Sequence, residues 1–446
     1  MKKLLITFLF VIITLPAFAG GKVLKPNFDS VIRESGVDKA TISVSIKNLE
    51  TGKIVYALND KILSNPASVQ KLLTTPAIVD TLGMDYEFKT QLYQRNEGEY
   101  LIKLGADPYL ASSDLKSFAE KMKRDTKQVY IDDRILDNKT WGEGWQWDDY
   151  MNVLMPRFSS YNLDKNLIKL TIVPSDIGMT AIIVNPSKYP LMFANNVKTS
   201  KKTNNVTITK DYSSASNIYT LNGTVSEPTI VTIPVPNIQQ YFNFQLTKVM
   251  ESRKVYVKSN FAYSTPQSGD VLLDEISNPI EPAIKEILKS SSNFMSETLF
   301  KLAGAKHADA ITGTDLLGIK MFDDYCKKIN IDNSKVKIVD ASGVSKNNLV
   351  SADFISEFLY VNKDNETLQN LPIPGEGTLT HRMLVLKESL KAKTGTLSNV
   401  SSIAGYLTSR KGNKYAFCII TNDTQLTGAD KKLLEDYLIR EAYLKL

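Results

Sequence analysis

The chain has 446 residues, 43% of them hydrophobic and 23% charged, an ordinary globular balance that excludes whole-chain disorder and provides for two or three domains. A net charge of +6 is too small to argue for nucleic acid, although a mild positive balance suits an anionic envelope polymer. Two cysteines (Cys326, Cys418) and two histidines (His307, His381) are too few for a zinc centre with three or four close ligands, and they leave little for a Ser-His-Asp scheme.

Lys2 and Lys3 precede an apolar run from Leu4 to Leu15, and Pro16-Ala17-Phe18-Ala19-Gly20 supplies the small residues that a signal peptidase reads. Residues 1–19 are therefore expected to be a cleaved export signal, and loss of Lys2 and Lys3 takes the charge from +6 to +4. As a membrane anchor the run would reach only roughly 18 Å into a ~30 Å hydrocarbon core. No Cys follows for lipid attachment, and no later stretch has the length and apolarity of a transmembrane helix. The expected product is periplasmic, with at most peripheral association with the envelope.

Alternation at Thr41-Ile42-Ser43-Val44-Ser45-Ile46 and again at Lys53-Ile54-Val55-Tyr56, around Glu50-Thr51-Gly52, predicts a β-hairpin over 40–57. Asn65-Pro66-Ala67-Ser68 opens a predicted helix running to Leu82, with Pro66 in its first turn. From Met84 to Asn278 the character changes to short β-like runs, such as Val206-Thr207-Ile208-Thr209 and Thr229-Ile230-Val231-Thr232-Ile233, between Ser, Asn, Lys and Pro clusters. The expectation is a mostly β insertion of two subdomains at 84–279, placed inside a discontinuous α/β domain made of residues 20–83 and 280–446. Helices follow at Pro282 to Ala305 and Thr314 to Ile329. A second hairpin pairs Ile403–Ser409 with Tyr415–Thr421 around Arg410-Lys411-Gly412-Asn413, and a last helix runs from Ala429 to Leu446. The apolar stripe of that helix fits sheet packing better than a membrane surface. Cys326 and Cys418 lie in apolar contexts that suit buried thiols, and an oxidising compartment leaves a disulfide open.

Three short motifs stand in chain order: Ser68-Val69-Gln70-Lys71, Ser291-Ser292-Asn293 and Lys393-Thr394-Gly395. Each alone is close to chance, since Ser-x-x-Lys recurs at Ser113/Lys116 and Ser334/Lys337, and Ser-x-Asn at Ser160/Asn162 and Ser345/Asn347. Context selects among them. Ser68 and Lys71 share one face at the start of a helix. The run Leu72-Leu73-Thr74-Thr75-Pro76-Ala77-Ile78-Val79 is too apolar to leave Lys71 on an open surface, and a lysine in a dry site can serve as a base. Taken singly, Ser68 would be a helix cap, Ser291-Ser292-Asn293 a helix junction, and Lys393-Thr394-Gly395 an edge-strand turn whose glycine admits another backbone.

Together the motifs resemble the Ser-x-x-Lys, Ser-x-Asn, Lys-Thr-Gly signature of penicillin-binding proteins and serine β-lactamases. The long interval between Ser68 and Ser291 is similar to that of the class C low-molecular-mass penicillin-binding proteins, the D-alanyl-D-alanine carboxypeptidase/endopeptidase family. Gly105-Ala106-Asp107-Pro108, Gly144-Trp145-Gln146-Trp147-Asp148-Asp149, Asp340-Ala341-Ser342-Gly343 and Gly377-Thr378-Leu379 with Arg382 resemble further elements of that family, with Ala106 and Ala341 as departures.

The resemblance implies a transpeptidase-like domain whose antiparallel sheet is flanked by helices. It implies Ser68 as nucleophile, Lys71 as its base, and Ser291 and Lys393 as the route of a proton to departing D-alanine. Asn293 would hold the substrate amide, Lys393, Thr394 and Thr396 the terminal carboxylate beside Gly395, and the N–H groups of Ser68 and Thr396 the oxyanion. Asp149 would pair with a diaminopimelyl ammonium, against the alternative of a surface acid, and Arg382 is a further candidate for substrate contact. Trp141, Trp145 and Trp147 fit a hydrophobic anchor for the insertion. The expected partners are peptidoglycan stem peptides and, as covalent inhibitors, β-lactams, with no metal, cofactor or nucleic acid. A β-lactamase and a non-catalytic wall-binding scaffold are the competing readings.

Overall fold

A computed structural model describes residues 26–211, 218–423 and 425–446. The expected export signal lies outside the described residues. Both ends of the described chain build one five-stranded antiparallel sheet, in the order Leu390–Thr396, Ser401–Thr408, Lys414–Thr421, Ile42–Asn48, Ile54–Leu58. The strands Ser401–Thr408 and Lys414–Thr421 are buried along nearly their whole length because helices cover both faces of the sheet. On one face Val44, Ile403, Phe417 and Ile419 meet Leu434, Leu438 and Ile439 of the C-terminal helix Gly428–Lys445. On the other, Ala404, Ala416, Cys418 and Ile420 join a core with Ile355, Phe358 and Leu359 of the helix Ala352–Val361, and with the helices Lys71–Leu82 and Asn293–His307. Cys326 and Cys418 are buried free thiols. Among the described residues no helix is long and apolar enough to cross a membrane.

Between the two halves lies a five-stranded mixed sheet, ordered Ala262–Tyr263, Gln128–Asp132, Glu99–Lys103, Glu87–Asn96, Val271–Pro279, accompanied among the described residues by four smaller sheets. This region is less purely β than expected. The helix Ile238–Ser252 buries Ile238, Tyr241, Phe242, Gln245, Leu246, Val249 and Met250 at helical spacing, and Asn237 caps it by accepting from the N–H of Gln240. A shorter helix, Leu115–Lys121, buries Leu115, Phe118 and Ala119. Trp145, Met155 and Phe158 leave this region to pack in the same core as the helices Lys71–Leu82 and Asn293–His307. Two of the three tryptophans act as the anchor foreseen: Trp145 is buried and Trp141 partly so, whereas Trp147 is 67% exposed.

Two helices differ from expectation in ways that shape the site. The α-helix over 71–82 begins only at Lys71, and residues Ala67–Gln70 form a 3-10 turn in front of it. The helix expected over 282–305 is broken: Glu281–Lys285 passes into a π-turn at Glu286–Ser290, Ser291 takes a left-handed conformation (φ 62°), and a new helix starts at Asn293, capped by Ser292.

Candidate active site

The turn that carries Ser68 is gripped by backbone on two sides. On the strand Leu390–Thr396, a Cβ added to Gly395 would lie 2.8 Å from the Ser68 nitrogen and 2.9 Å from the Ala67 Cβ. On the turn 340–345, a Cβ on Gly343 would overlap the Ala67 carbonyl oxygen. Only glycine permits such approach. Ala67 itself sits at φ 47°, held by Asn65, whose Oδ1 accepts from its N–H. Ser402 on the neighbouring strand donates its hydroxyl to the Pro66 carbonyl at 2.7 Å. The turn that carries Ser68 is thus sewn to the sheet edge that carries the third motif.

Lys71 is fully buried, and its Nζ lies 3.0 Å from Ser68 Oγ, 2.7 Å from Asn293 Oδ1 and 2.7 Å from the Ser342 carbonyl. Burial pushes its pKa down to about 7, against the raising pull of Asp340 and Glu297. A neutral lysine amine has two N–H donors and one lone pair. The two fixed oxygens of Asn293 and Ser342 take the donors, which leaves the lone pair directed at the Ser68 hydroxyl.

Lys393 is equally buried, and its Nζ donates to Ser291 Oγ at 2.8 Å and to the Thr394 carbonyl at 2.8 Å. Burial and the nearby charge of Lys71 hold its pKa well below the usual lysine value. The left-handed turn at Ser291 swings that hydroxyl toward Lys393, which a continuous helix would not do. The structure therefore brings Ser68, Lys71, Asn293, Ser291 and Lys393 into one cluster. Thr394, Gly395 and Thr396 follow on the strand beside them, Thr394 half-buried and Thr396 exposed.

The remaining candidates divide. Asp149 lies on the 3-10 turn Trp147–Met151, half-buried, and its carboxylate has no hydrogen bond or ion pair among the described residues. The same segment reaches the motifs at Leu154, whose carbonyl accepts from Asn293 Nδ2 at 3.0 Å. Arg382, the further candidate for substrate contact, is engaged by the C-terminal helix. Its Nη2 donates to Glu435 Oε2 at 2.8 Å and to the Lys432 carbonyl at 3.0 Å, and both Nε and Nη2 engage Asp436, all on the C-terminal helix. Glu435, completely buried, in turn accepts from Ser401 Oγ at 2.7 Å, and Ser401 pairs with Thr396. The arginine's charge is needed to neutralise an acid that packing has taken out of water. Arg382→Ala is expected to cost about 3–5 kcal/mol, the penalty for stranding one member of a buried pair, measured by equilibrium denaturation.

Sequence reading missed Glu297 and the buried contacts around Asp340. Asp340 Oδ2 accepts from Trp145 Nε1 at 2.8 Å and from the Ser345 N–H at 2.7 Å, while its Oδ1 accepts from Gly343 N–H and Asn348 Nδ2, each at 2.8 Å. The one available signal was an acid at position 297 inside an otherwise apolar helix.

Residues 24–440 match the model of the D-Ala-D-Ala carboxypeptidase 3 (S13) family. Among curated relatives, the D-alanyl-D-alanine carboxypeptidase of Actinomadura sp. (strain R39) is 24% identical over 437 residues, covering 90% of this chain and 81% of that protein. The D-alanyl-D-alanine carboxypeptidase DacB of Haemophilus influenzae is 23% identical over 436 residues, covering 92% and 90%. The crystal structure of penicillin-binding protein 4 from Haemophilus influenzae superposes with a TM-score of 0.79 at 22% identity, covering 94% of this chain and 99% of that one. The same relative complexed with a β-lactam gives a TM-score of 0.74 at 20% identity and the same coverage.

Proposed function

Because the chain belongs to the D-Ala-D-Ala carboxypeptidase 3 (S13) family of peptidases, we propose that the cluster around Ser68 hydrolyses peptidoglycan stem peptides after their penultimate D-alanine. The observation that carries this reading is the buried Lys71 amine 3.0 Å from Ser68 Oγ, with its other two directions already taken by fixed oxygens.

In the first half-reaction Ser68 Oγ bonds to the carbonyl carbon of the penultimate D-alanine while Lys71 Nζ takes the hydroxyl proton. The oxyanion forms between the N–H groups of Ser68 and Thr396, each worth on the order of 3 kcal/mol. The C–N bond then breaks, and the leaving amine receives a proton by way of Ser291 and Lys393, so that free D-alanine departs. In the second half-reaction Lys71, its first proton passed on to the departing amine by way of Ser291 and Lys393, takes a proton from the attacking water and returns it to Ser68 Oγ as the ester C–O bond breaks, which regenerates Ser68 and releases the shortened peptide. Asn293 orients the substrate amide, and Lys393, Thr394 and Thr396 receive the terminal carboxylate. A β-lactam presents the same carboxylate and a strained amide, so it acylates Ser68 and acts as a covalent inhibitor.

The same bond type occurs in D-alanine cross-links, and cross-link-cleaving endopeptidase activity is part of the proposal. The reaction is placed in the periplasm, after removal of residues 1–19, on the strength of the Lys2-Lys3 and apolar N-terminal pattern. Residues 20–83 and 280–446 are proposed as the catalytic domain and 84–279 as the insertion of two subdomains. A separate apolar core within the insertion, where Leu92, Phe118, Leu170 and Ile172 pack with Phe242 and Leu246 of the helix Ile238–Ser252, supports that division.

Release of D-alanine from a diaminopimelate-containing peptide by the full mature chain tests the activity, and digestion of cross-linked muropeptides tests the endopeptidase arm. Neither product forming would overturn the proposal. Asp149→Ala is expected to weaken hydrolysis of the diaminopimelate-containing peptide by about tenfold, while leaving a simple acyl-D-Ala-D-Ala nearly unaffected, because only the former offers an ammonium to a carboxylate. Equal losses on both substrates would remove the role of Asp149.

A further inference from the structure

The Lys71 amine rests against a turn, 340–345, whose own supports are two buried acids. Asp340 is satisfied from within the turn and from Trp145. Glu297 arrives from a different element, the helix Asn293–His307, one turn beyond Asn293. It is only 1% exposed; its Oε1 accepts from the Ser342 N–H at 2.9 Å and its Oε2 from the Ala341 N–H at 3.1 Å. No lysine or arginine forms an ion pair with it among the described residues. An acid held in a dry place without a cation is costly, and what it supplies that a leucine or glutamine cannot is a fork of two acceptors for two adjacent N–H groups. The carbonyl of the residue it grips, Ser342, is the one that holds Lys71 Nζ at 2.7 Å.

We propose that Glu297 is a positioning residue for the base, clamping the Ala341–Ser342 peptide so that the Ser342 carbonyl fixes the Lys71 amine with its lone pair on Ser68. The inference rests on the proposed role of Lys71. The charged groups that face Lys71 and Glu297 are Asp340 on the turn, Asp315 at the start of the helix Asp315–Lys328, and Lys393 on the strand. Lys301 is occupied by Asp137 and Asp315. Burial, Asp340 and Asp315 push the Glu297 carboxyl upward.

Two consequences follow for Glu297→Gln. Loss of the fork lets the Ser342 carbonyl drift and slows the acylation step. Noncovalent binding of the β-lactam, which the clamp does not touch, is unchanged. A residue that merely held the fold together would weaken binding and thermal stability along with the rate.

The test is acylation by benzylpenicillin between pH 5 and 9 for the full mature chain, separated into a noncovalent binding constant and a first-order acylation rate, with circular dichroism and thermal melting on each variant. Glu297→Gln is expected to be about 10- to 100-fold slower in the acylation step on the alkaline plateau, with binding unchanged. Glu297→Asp is too short to bridge both N–H groups, so it is slower in the same step. Binding that weakens as much as the acylation rate in Glu297→Gln, or wild-type rates in Glu297→Asp, overturns the inference, and the second result does so even where the glutamine variant fails to fold. A wild-type profile with no limb near neutrality is a different failure, that of Lys71 as base.

Discussion

Alanine at position 68 is expected to end covalent uptake of benzylpenicillin. Intact-mass analysis should show one adduct on the wild-type chain and none on Ser68→Ala, with D-alanine release falling by about 10⁴-fold or more, as for other lost nucleophiles. The variant should remain folded. Ser68 is half-buried, its hydroxyl is hydrogen-bonded only with Lys71 among the described residues, and its turn is held by Asn65, Gly343, Gly395 and Ser402. An undiminished adduct on Ser68→Ala would refute the nucleophile assignment.

Lys71→Met should be nearly as severe, with a distinguishing signature. Methionine fills a similar volume and cannot accept a proton, so acylation should slow by about 10²- to 10⁴-fold, the usual contribution of a positioned base. Thermal stability should not fall with it, because the substitution removes a buried amine that is costly to keep from water. In the wild type the acylation rate should rise as the pH passes through about 7, where Lys71 loses its proton; the variant's residual rate should lack that rise. A variant acylated within about tenfold of the wild type would point to another base.

Much of the site was legible because its chemistry is local. Ser68 and Lys71 lie three residues apart, and Lys393-Thr394-Gly395 stands at the edge of a sheet whose strands the pattern at 42–46 and 415–420 announces. The break at Ser290–Asn293 was legible only as the helix junction that Ser291-Ser292-Asn293 suggests when taken singly, and its geometry was not. The residues around it favour helix, and the interruption depends on partners distant in sequence, including Lys393 at Ser291 and Gly377 against the Lys289 carbonyl. The helix Ile238–Ser252 carries its period plainly, but it sits among short strands whose alternation dominated the reading. The partners of Arg382 were not legible either, since its guanidinium answers two acids of the C-terminal helix that no local pattern connects to it.

The strand Ile42–Asn48 lies between Ile54–Leu58 and Lys414–Thr421, so the earliest sheet segment waits for one of the last. During synthesis the hydroxyl at 68 is laid down long before the lysine at 393 exists, and the intervening polypeptide can organise its own core meanwhile. Hydrolytic competence therefore arrives late and all at once, after the nascent chain is nearly complete. A truncated product ending before that lysine would lack the edge against which the reactive turn is shaped.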